Sequence, residues 1–395
     1  MILVINCGST SIKYELFADL ETVLEGRVGE IGERNSFVQQ TSDGEEMTEK
    51  RRIGDHHEGM SLVLEYVTHP EHGVGMETSE LTAVGHRVVH GGELTEPRLV
   101  DESVKATIRD YAPIAPLHNP ASLQGIEAVE THLPESPQVA VFDTAFHRTM
   151  PPTAYLYGLP YEYYEERDIR RYGFHGISHA FVAKESCELL GKPPTETNLL
   201  TCHLGSGCSL TAVEGGHSID TSMGFSPLEG TLMATRAGDV DPTVLKYLVD
   251  NYRMDLDDVF EVLNERSGLA GLSGLSGDMR ELLQARRDGS ERADLAIRTF
   301  ANSIRKRIGS LAVTLGDVDA LVYTAGMGEN VPLIRELTGN LSALGAEIDD
   351  RRNESAVGER AVISTDESDV DILVVPTNEE LRIARQSRAK LSDDR

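Results

Sequence analysis

The chain has 395 residues, 39% of them hydrophobic, and a formal net charge of −28. That length exceeds one ordinary core and predicts two domains, and the apolar content excludes wholesale disorder. The charge excludes a nucleic-acid partner, whose phosphates would be repelled, and no apolar run approaches the roughly 18 residues of a membrane span. Eight lysines stand against 29 arginines, and the acidic residues are spread along the chain. This fits either adaptation to high salt or an ordinary acidic metabolic enzyme.

Met1 to Gly8 carries no basic leader and only five apolar residues in a row, so no signal peptide is expected. Cys7, Cys187, Cys202 and Cys208 make neither CxxC pairs nor an even framework, which predicts reduced thiols and a cytoplasmic protein. Ile2 to Ile5 reads as an apolar strand, and Ser11 to Phe17 alternates in period two, the pattern of a half-buried strand. Between them lies Asn6-Cys7-Gly8-Ser9-Thr10. The polar segment 31–58 reads as peripheral hairpins and loops, and Pro151-Pro152 reads as a domain junction. Near residue 200 the opening pattern returns. Asn198 to His203 runs through Leu204-Gly205-Ser206-Gly207 into Cys208 to Glu214, which predicts a repeat at domain scale. Helices are expected over 244–263 and 295–315. Strand 320–324 should enter a glycine-rich turn, and strand 372–375 should precede a closing helix. The fold class is α/β with mixed sheets in two related halves.

Three small-residue loops therefore follow strands: 6–11, 203–207 and 325–330. Glycines admit phosphate oxygens close to the backbone, while hydroxyls and N–H groups supply neutral donors. Lys13 adds a point charge beside the first loop. A second group is cationic and histidine-rich, around Arg87, Arg171 with His175, and Arg236. His86/His90 and His175/His179 have the spacing of a zinc pair, but the flanking glycines argue against a helix there. Asp143, directly after an apolar strand, suits Mg²⁺, the positioning of a reactant, or capping of the next turn. Glu379 and Glu380 suit Mg²⁺ or a first helical turn.

These stretches resemble the acetate kinase family: GHRVVHGGE at 85–93, APLHNP at 115–120, VFDTAFH at 141–147, RRYGFHGISH at 170–179, MGFSPLEG at 223–230, TRAGDVDP at 235–242, SGDMRE at 276–281, TAGMGEN at 324–330 and PTNEELRIAR at 376–385. The resemblance implies the duplicated ribonuclease H-like fold of actin, Hsp70 and sugar kinases, with an active site between the domains. Residues 1–150 would form the first domain, with a helix over 379–395 packing back on it, and 151–378 the second. It also implies a homodimer, ATP/ADP as co-substrate with Mg²⁺ (or Mn²⁺), and reversible formation of acetyl phosphate. By motif position Asn6 and Glu379 would bind the metal and Lys13 the nucleotide. Arg87 would bind the acid, Asp143 would carry acid/base duty, and His175 and Arg236 would stabilise the transferring phosphoryl group. His203, Leu204, Gly205, Ser206 and Gly207 would hold nucleotide, as would Asp278, Met279, Arg280, Gly326, Met327, Gly328, Glu329 and Asn330. Val89, Leu117, His118 and Pro227 would shape the acid pocket. An acceptor carboxylate has no proton to lose at neutral pH, so Asp143 is read as orienting Arg87 or a metal-bound water.

One departure stands out, since the usual HLGNG loop here carries Ser206. Gly326 and Gly328 leave room for an adenosine and favour ATP over pyrophosphate. Propionate or butyrate is the neighbouring substrate reading, and a non-catalytic ATP-driven switch of the actin/Hsp70 kind is the alternative from another class. Cys7 and Cys208 beside the phosphate loops are either targets for thiol reagents or small space-fillers.

Overall fold

The computed structural model describes residues 1–116 and 118–393. The chain divides into two compact units, one of Met1–Phe146 with Asn378–Arg395 and one of His147–Thr377. The sequence placed the division at 150/151.

The first unit is built on an eight-stranded sheet. Its strands are β1 (Ile2–Gly8), β2 (Ser11–Ala18), β3 (Glu21–Gly29), β4 (Phe37–Ser42), β5 (Glu45–Lys50), β6 (Ala83–Val88), β7 (Arg98–Leu99) and β8 (Gln138–Phe142), in the order β5-β4-β3-β2-β1-β6-β8-β7. β1 to β5 form an antiparallel meander, whereas β1, β6 and β8 run parallel. Leu3, Val4 and Ile5 are all buried because β1 is covered on both faces, which is why it shows no alternation. Helices His56–Thr68 and Asn119–His132 pack together on one face. The closing helix Glu379–Asp393 packs on β1, β6 and β8. That approach is close: a Cβ on Gly85 would fall 2.7 Å from Ile383 Cγ2.

The second unit repeats the plan with β9 (Asn198–Leu204), β10 (Cys208–Glu214), β11 (His217–Thr221), β12 (Ala320–Thr324), β13 (Ala361–Val362) and β14 (Asp371–Val374), in the order β11-β10-β9-β12-β14-β13. Here a three-strand meander, β9 to β11, replaces the five-strand one, and β9, β12 and β14 again run parallel. This is the duplicated α/β fold of the actin/Hsp70/sugar-kinase class. The 25-residue helix Glu291–Leu315 buries Ala296, Phe300, Ile304 and Ile308 at helical spacing.

Four local readings need correction. The helix expected over 244–263 is two, Pro242–Tyr252 and Leu256–Glu265, because Arg253 adopts a left-handed conformation (φ 55°) and Asp255 caps a new start. The turn expected after β12 is a short helix, Ala325–Asn330. The glycines of 173–176 do not prevent a helix, since Gly176 begins one that runs to Leu190. Segment 31–58 contains the β4–β5 hairpin but ends inside helix His56–Thr68.

Candidate functional site

In each unit the expected residues gather where parallel strands end, the place open α/β sheets offer to ligands. In the first unit Asn6 lies two residues before the end of β1, Arg87 one residue before the end of β6, and Asp143 follows β8. Arg87 is the hub. Its Nη2 donates to Asp143 Oδ2 at 2.7 Å, its Nη1 reaches Asn6 Oδ1 at 3.5 Å, and its Nε lies 3.4 Å from Glu379 Oε2. Burial works against the guanidinium charge, but Asp143 and Glu379 outweigh it and hold the pKa above its ordinary value. Asp143 is 1% exposed, and its own N–H donates to Val88 O at 2.9 Å, which fixes the carboxylate against the sheet. Lys13 is the cross-strand partner of Asn6 and is exposed. Glu380, beside Glu379, has its pKa raised by burial and then by its neighbour's charge.

The remaining first-unit candidates are less central. Val89 is buried, and His118 is half-buried at the N-cap of helix Asn119–His132. Leu117 lies outside the described residues. His86 and His90 are structural: His86 Nε2 bonds Gln138 Oε1 at 2.7 Å and is held to a pKa of about 4 by burial, while His90 stacks on Tyr111.

In the second unit, loop 203–207 joins β9 to β10. Gly205 N–H donates to Gly207 O at 3.0 Å, and Ser206 O accepts from Ala234 N–H at 3.1 Å. The backbone of Ser206 is thus set independently of its exposed side chain, so the departure from HLGNG leaves the loop's course intact. A Cβ on Gly207 would lie 3.3 Å from His175 Nε2, a tight contact, and 3.5 Å from Arg236 Nη1, an ordinary one. Two donors from distant parts of the chain therefore converge on one glycine. Arg236 is half-buried, and burial lowers its pKa. Its Nη1 contacts Pro227 O at 3.1 Å and Met233 Sδ at 3.9 Å, and among the described residues it forms no ion pair. His175 has φ 57°, a left-handed backbone unusual for a side-chain-bearing residue, and stacks on His203 with ring centroids 4.2 Å apart.

The other loop of this unit is shaped by its own side chains. Glu329 Oε1 accepts from Ala325 N–H at 2.6 Å and Thr377 N–H at 3.0 Å, so this carboxylate braces the loop. Gly326 faces open space, Met327 and Gly328 are buried and Asn330 is exposed. Asp278 caps helix Met279–Arg287, pairs with exposed Arg280 and is held at a pKa of about 2 by that partner. Met279 is buried. Sequence reasoning missed Arg335, which is fully buried and directs five hydrogen bonds to Gly328 O, Glu329 O, Asn353 O, Asn353 Oδ1 and Ala356 O. The helix Pro332–Gly339 also carries Glu336 and Thr338, so nothing in its sequence set Arg335 apart. Cys7 and Cys208 are buried, each thiol pushed up to about 12 by burial, which favours the reading of both as space-fillers.

Could these residues hold Mg²⁺? The donors around Arg87 are oxygens, an amide and carboxylates, the hard ligands that Mg²⁺ takes. No group of three or more His, Cys, Asp or Glu able to hold a metal occurs among the described residues. A few carboxylates supplemented by phosphate and water is the usual mode for this ion, so the set fits.

The chain matches the model of the Acetokinase family over residues 1–385. Acetate kinase of Natranaerobius thermophilus is 47% identical over 395 residues, covering 99% of both chains. Acetate kinase of Caldicellulosiruptor saccharolyticus is 48% identical over 396 residues, again covering 99% of both. Among solved structures, Porphyromonas gingivalis acetate kinase aligns with a TM-score of 0.93 at 39% identity and 99% coverage of both chains. A propionate kinase from Francisella tularensis aligns at 0.92 and 37%, covering 98% of this chain and 99% of its own.

Proposed function

The chain belongs to the acetokinase family, and from that premise we propose that this kinase moves the γ-phosphoryl group of ATP reversibly to acetate, giving acetyl phosphate and ADP. The observation that carries the reading is the convergence of His175 Nε2 and Arg236 Nη1 on Gly207, with no acid paired to Arg236 among the described residues. An arginine kept half-buried without a carboxylate suits an anionic guest. A chain of net charge −28 needs such local cations to receive nucleotide and acid at all.

Phosphoryl transfer needs alignment and charge neutralisation more than covalent help. His175 and Arg236 donate to the oxygens of the group in flight, where charge accumulates. Arg87 receives the acid's carboxylate, and Asp143 and Glu379 hold its guanidinium in one plane. Asp143 acts by orientation, since acetate arrives already deprotonated. Lys13, loop 203–207, residues 278–280 and loop 326–330 take the nucleotide, with Glu329 shaping its loop. In the first unit Val89 and His118 would bound the methyl group. Asn6 and Glu379 would hold Mg²⁺, which when bound neutralises phosphate charge.

A hydroxamate assay with Mg-ATP and acetate, propionate or butyrate tests this directly. Acyl phosphate formed fastest with acetate is expected, and propionate should be slower because one methylene is worth only about 1–3 kcal/mol. The likeness to a propionate kinase keeps propionate in the assay. No product from any acid, with ATP or pyrophosphate as donor, would overturn the reading in favour of a nucleotide-driven switch. The protein is further read as a cytoplasmic homodimer. None of its described helices is long and apolar enough to cross a membrane. Helix Pro242–Tyr252 buries no residue and, with Leu256 and Phe260, leaves Val244, Tyr247 and Tyr252 exposed, an apolar face suited to a second copy. Sedimentation as a monomer would refute the dimer.

A further inference from the structure

Behind His175 the second unit holds a line of polar side chains that the reaction described above does not use. His175 Nδ1 lies 2.8 Å from Ser209 Oγ. The same hydroxyl is 2.7 Å from His179 Nε2, and His179 Nδ1 is 2.7 Å from Thr201 Oγ1. Ser209, His179 and Thr201 are all 0% exposed. Each comes from a different element: β10, helix Gly176–Leu190 and β9.

Each hydroxyl has one proton to give, and a neutral imidazole has one N–H and one acceptor nitrogen. With Ser209 accepting one bond and giving one, the line runs in one of two directions. In the first, Thr201 donates to His179 Nδ1, His179 Nε2–H donates to Ser209, and Ser209 donates to His175 Nδ1. The single proton of His175 then sits on Nε2, the nitrogen beside Gly207 and Arg236. In the second, every bond reverses, His175 Nε2 becomes an acceptor, and the Thr201 proton is left pointing at Thr211 O across 3.4 Å. That contact is too long to be a good hydrogen bond, whereas the first direction gives the protons of the fully buried Thr201, His179 and Ser209 an acceptor within 2.8 Å each. The bonds themselves choose the direction.

We propose that Thr201, His179 and Ser209 are positioning residues that hold His175 as the neutral tautomer with its proton on Nε2, a fixed hydrogen-bond donor to the phosphoryl group. This rests on the kinase reading of His175. An extra proton on His175 would occupy Nδ1 and take away the acceptor that the buried Ser209 hydroxyl donates to. The surrounding groups oppose a second positive charge too. Arg236 stands across Gly207, His203 is stacked on the ring, and His147 lies edge-on to His179 at 5.7 Å. His179 itself stays neutral, its pKa drawn far down by burial and by His147 and His203. His147 is held to about 4 by burial.

Thr201→Val keeps the side chain's shape and removes the proton that begins the line, while Thr201→Ser keeps the proton and loses a methyl group. The test compares both with the wild-type full chain. On ¹⁵N-histidine-labelled protein, with the His175 resonance identified by its loss in His175→Gln, NMR should show Nε2–H in the wild type. Thr201→Val should show a mixture of tautomers or Nδ1–H. In the acyl phosphate assay Thr201→Val should lower kcat by about 10- to 100-fold, the usual cost of losing an outer partner of a functional histidine, with KM values unchanged. Thr201→Ser should stay near wild type. A wild-type His175 protonated on Nδ1, an unchanged tautomer in Thr201→Val, or equal losses in the Val and Ser variants would each overturn the relay. A wild type that makes no acyl phosphate would sink the kinase reading instead, and the NMR result would still decide the relay.

Discussion

Replacing Arg335 with Met should weaken both the fold and the nucleotide loop, by an amount the structure bounds. The guanidinium is 0% exposed and spends all five of its N–H groups on protein oxygens at 2.7 to 3.0 Å. Two of those oxygens are the carbonyls of Gly328 and Glu329, at the end of helix Ala325–Asn330, where no further turn is present to bond them. Charge-assisted bonds contribute about 1.5–3 kcal/mol each. Against them stands burial of a cation with no carboxylate partner, which costs several kcal/mol and draws the Arg335 pKa down to about 10. The balance predicts a loss of about 3–5 kcal/mol for Arg335→Met, since four backbone carbonyls and one side-chain amide lose their donor. Urea unfolding followed by circular dichroism measures that loss. In parallel, KM for ATP should rise more than KM for acetate, because only the nucleotide loop is released. A variant as stable as wild type, or one whose two KM values rise equally, would refute the reasoning.

Arg236→Ala should lower kcat by about a thousandfold, the scale of a lost phosphoryl-stabilising arginine, while ATP binding by calorimetry stays within the wild-type range; unaltered turnover would contradict its role. Glu15 faces Glu25 across β2 and β3, and burial, aided by Glu380 and Glu25 and opposed by Thr22, lifts its pKa to about 7. A raised carboxyl pKa means the folded chain holds the proton more tightly, so stability falls as pH climbs from about 4.5 through about 7. Glu15→Gln should thus be more stable than wild type by about 1–2 kcal/mol at pH 8, after allowance for partial exposure, and about equal at pH 4.5. A gain independent of pH would count against this account. Native protein should resist a chromogenic thiol reagent and release four equivalents on denaturation; fast native reaction would mean that Cys7 or Cys208 is more open than described.

What the sequence disclosed depended on whether the signal was local. Alternation in 11–17 and the apolar runs before residues 6, 203 and 325 reflect side chains meeting one sheet, so the strands and their loops were legible. The helix at 325–330 was not, because Gly326 and Gly328 read as a turn. It forms because Glu329 accepts the N–H groups of Ala325 and Thr377 and Arg335 binds the far end. Those partners lie up to 48 residues away. Gly176 misled for a related reason: a glycine at the first helical position does not interrupt the helix that follows. The resemblance supplied the candidate residues and the pairing of His175 with Arg236, but not the line of hydroxyls behind His175, which depends on strand register.

The closing helix also sets the order of events during synthesis. It belongs to the first unit, packs on β1, β6 and β8, and brings Glu379 to Arg87. At about 5–20 residues per second, a ribosome that has finished residue 146 needs about 10–50 s more to deliver it. For that interval Gly85 and its neighbours present an uncovered sheet face, and Arg87 has Asp143 without its second acid. The first half of the protein to be made is the last to be completed, so its exposed face must be shielded or kept soluble until the chain ends.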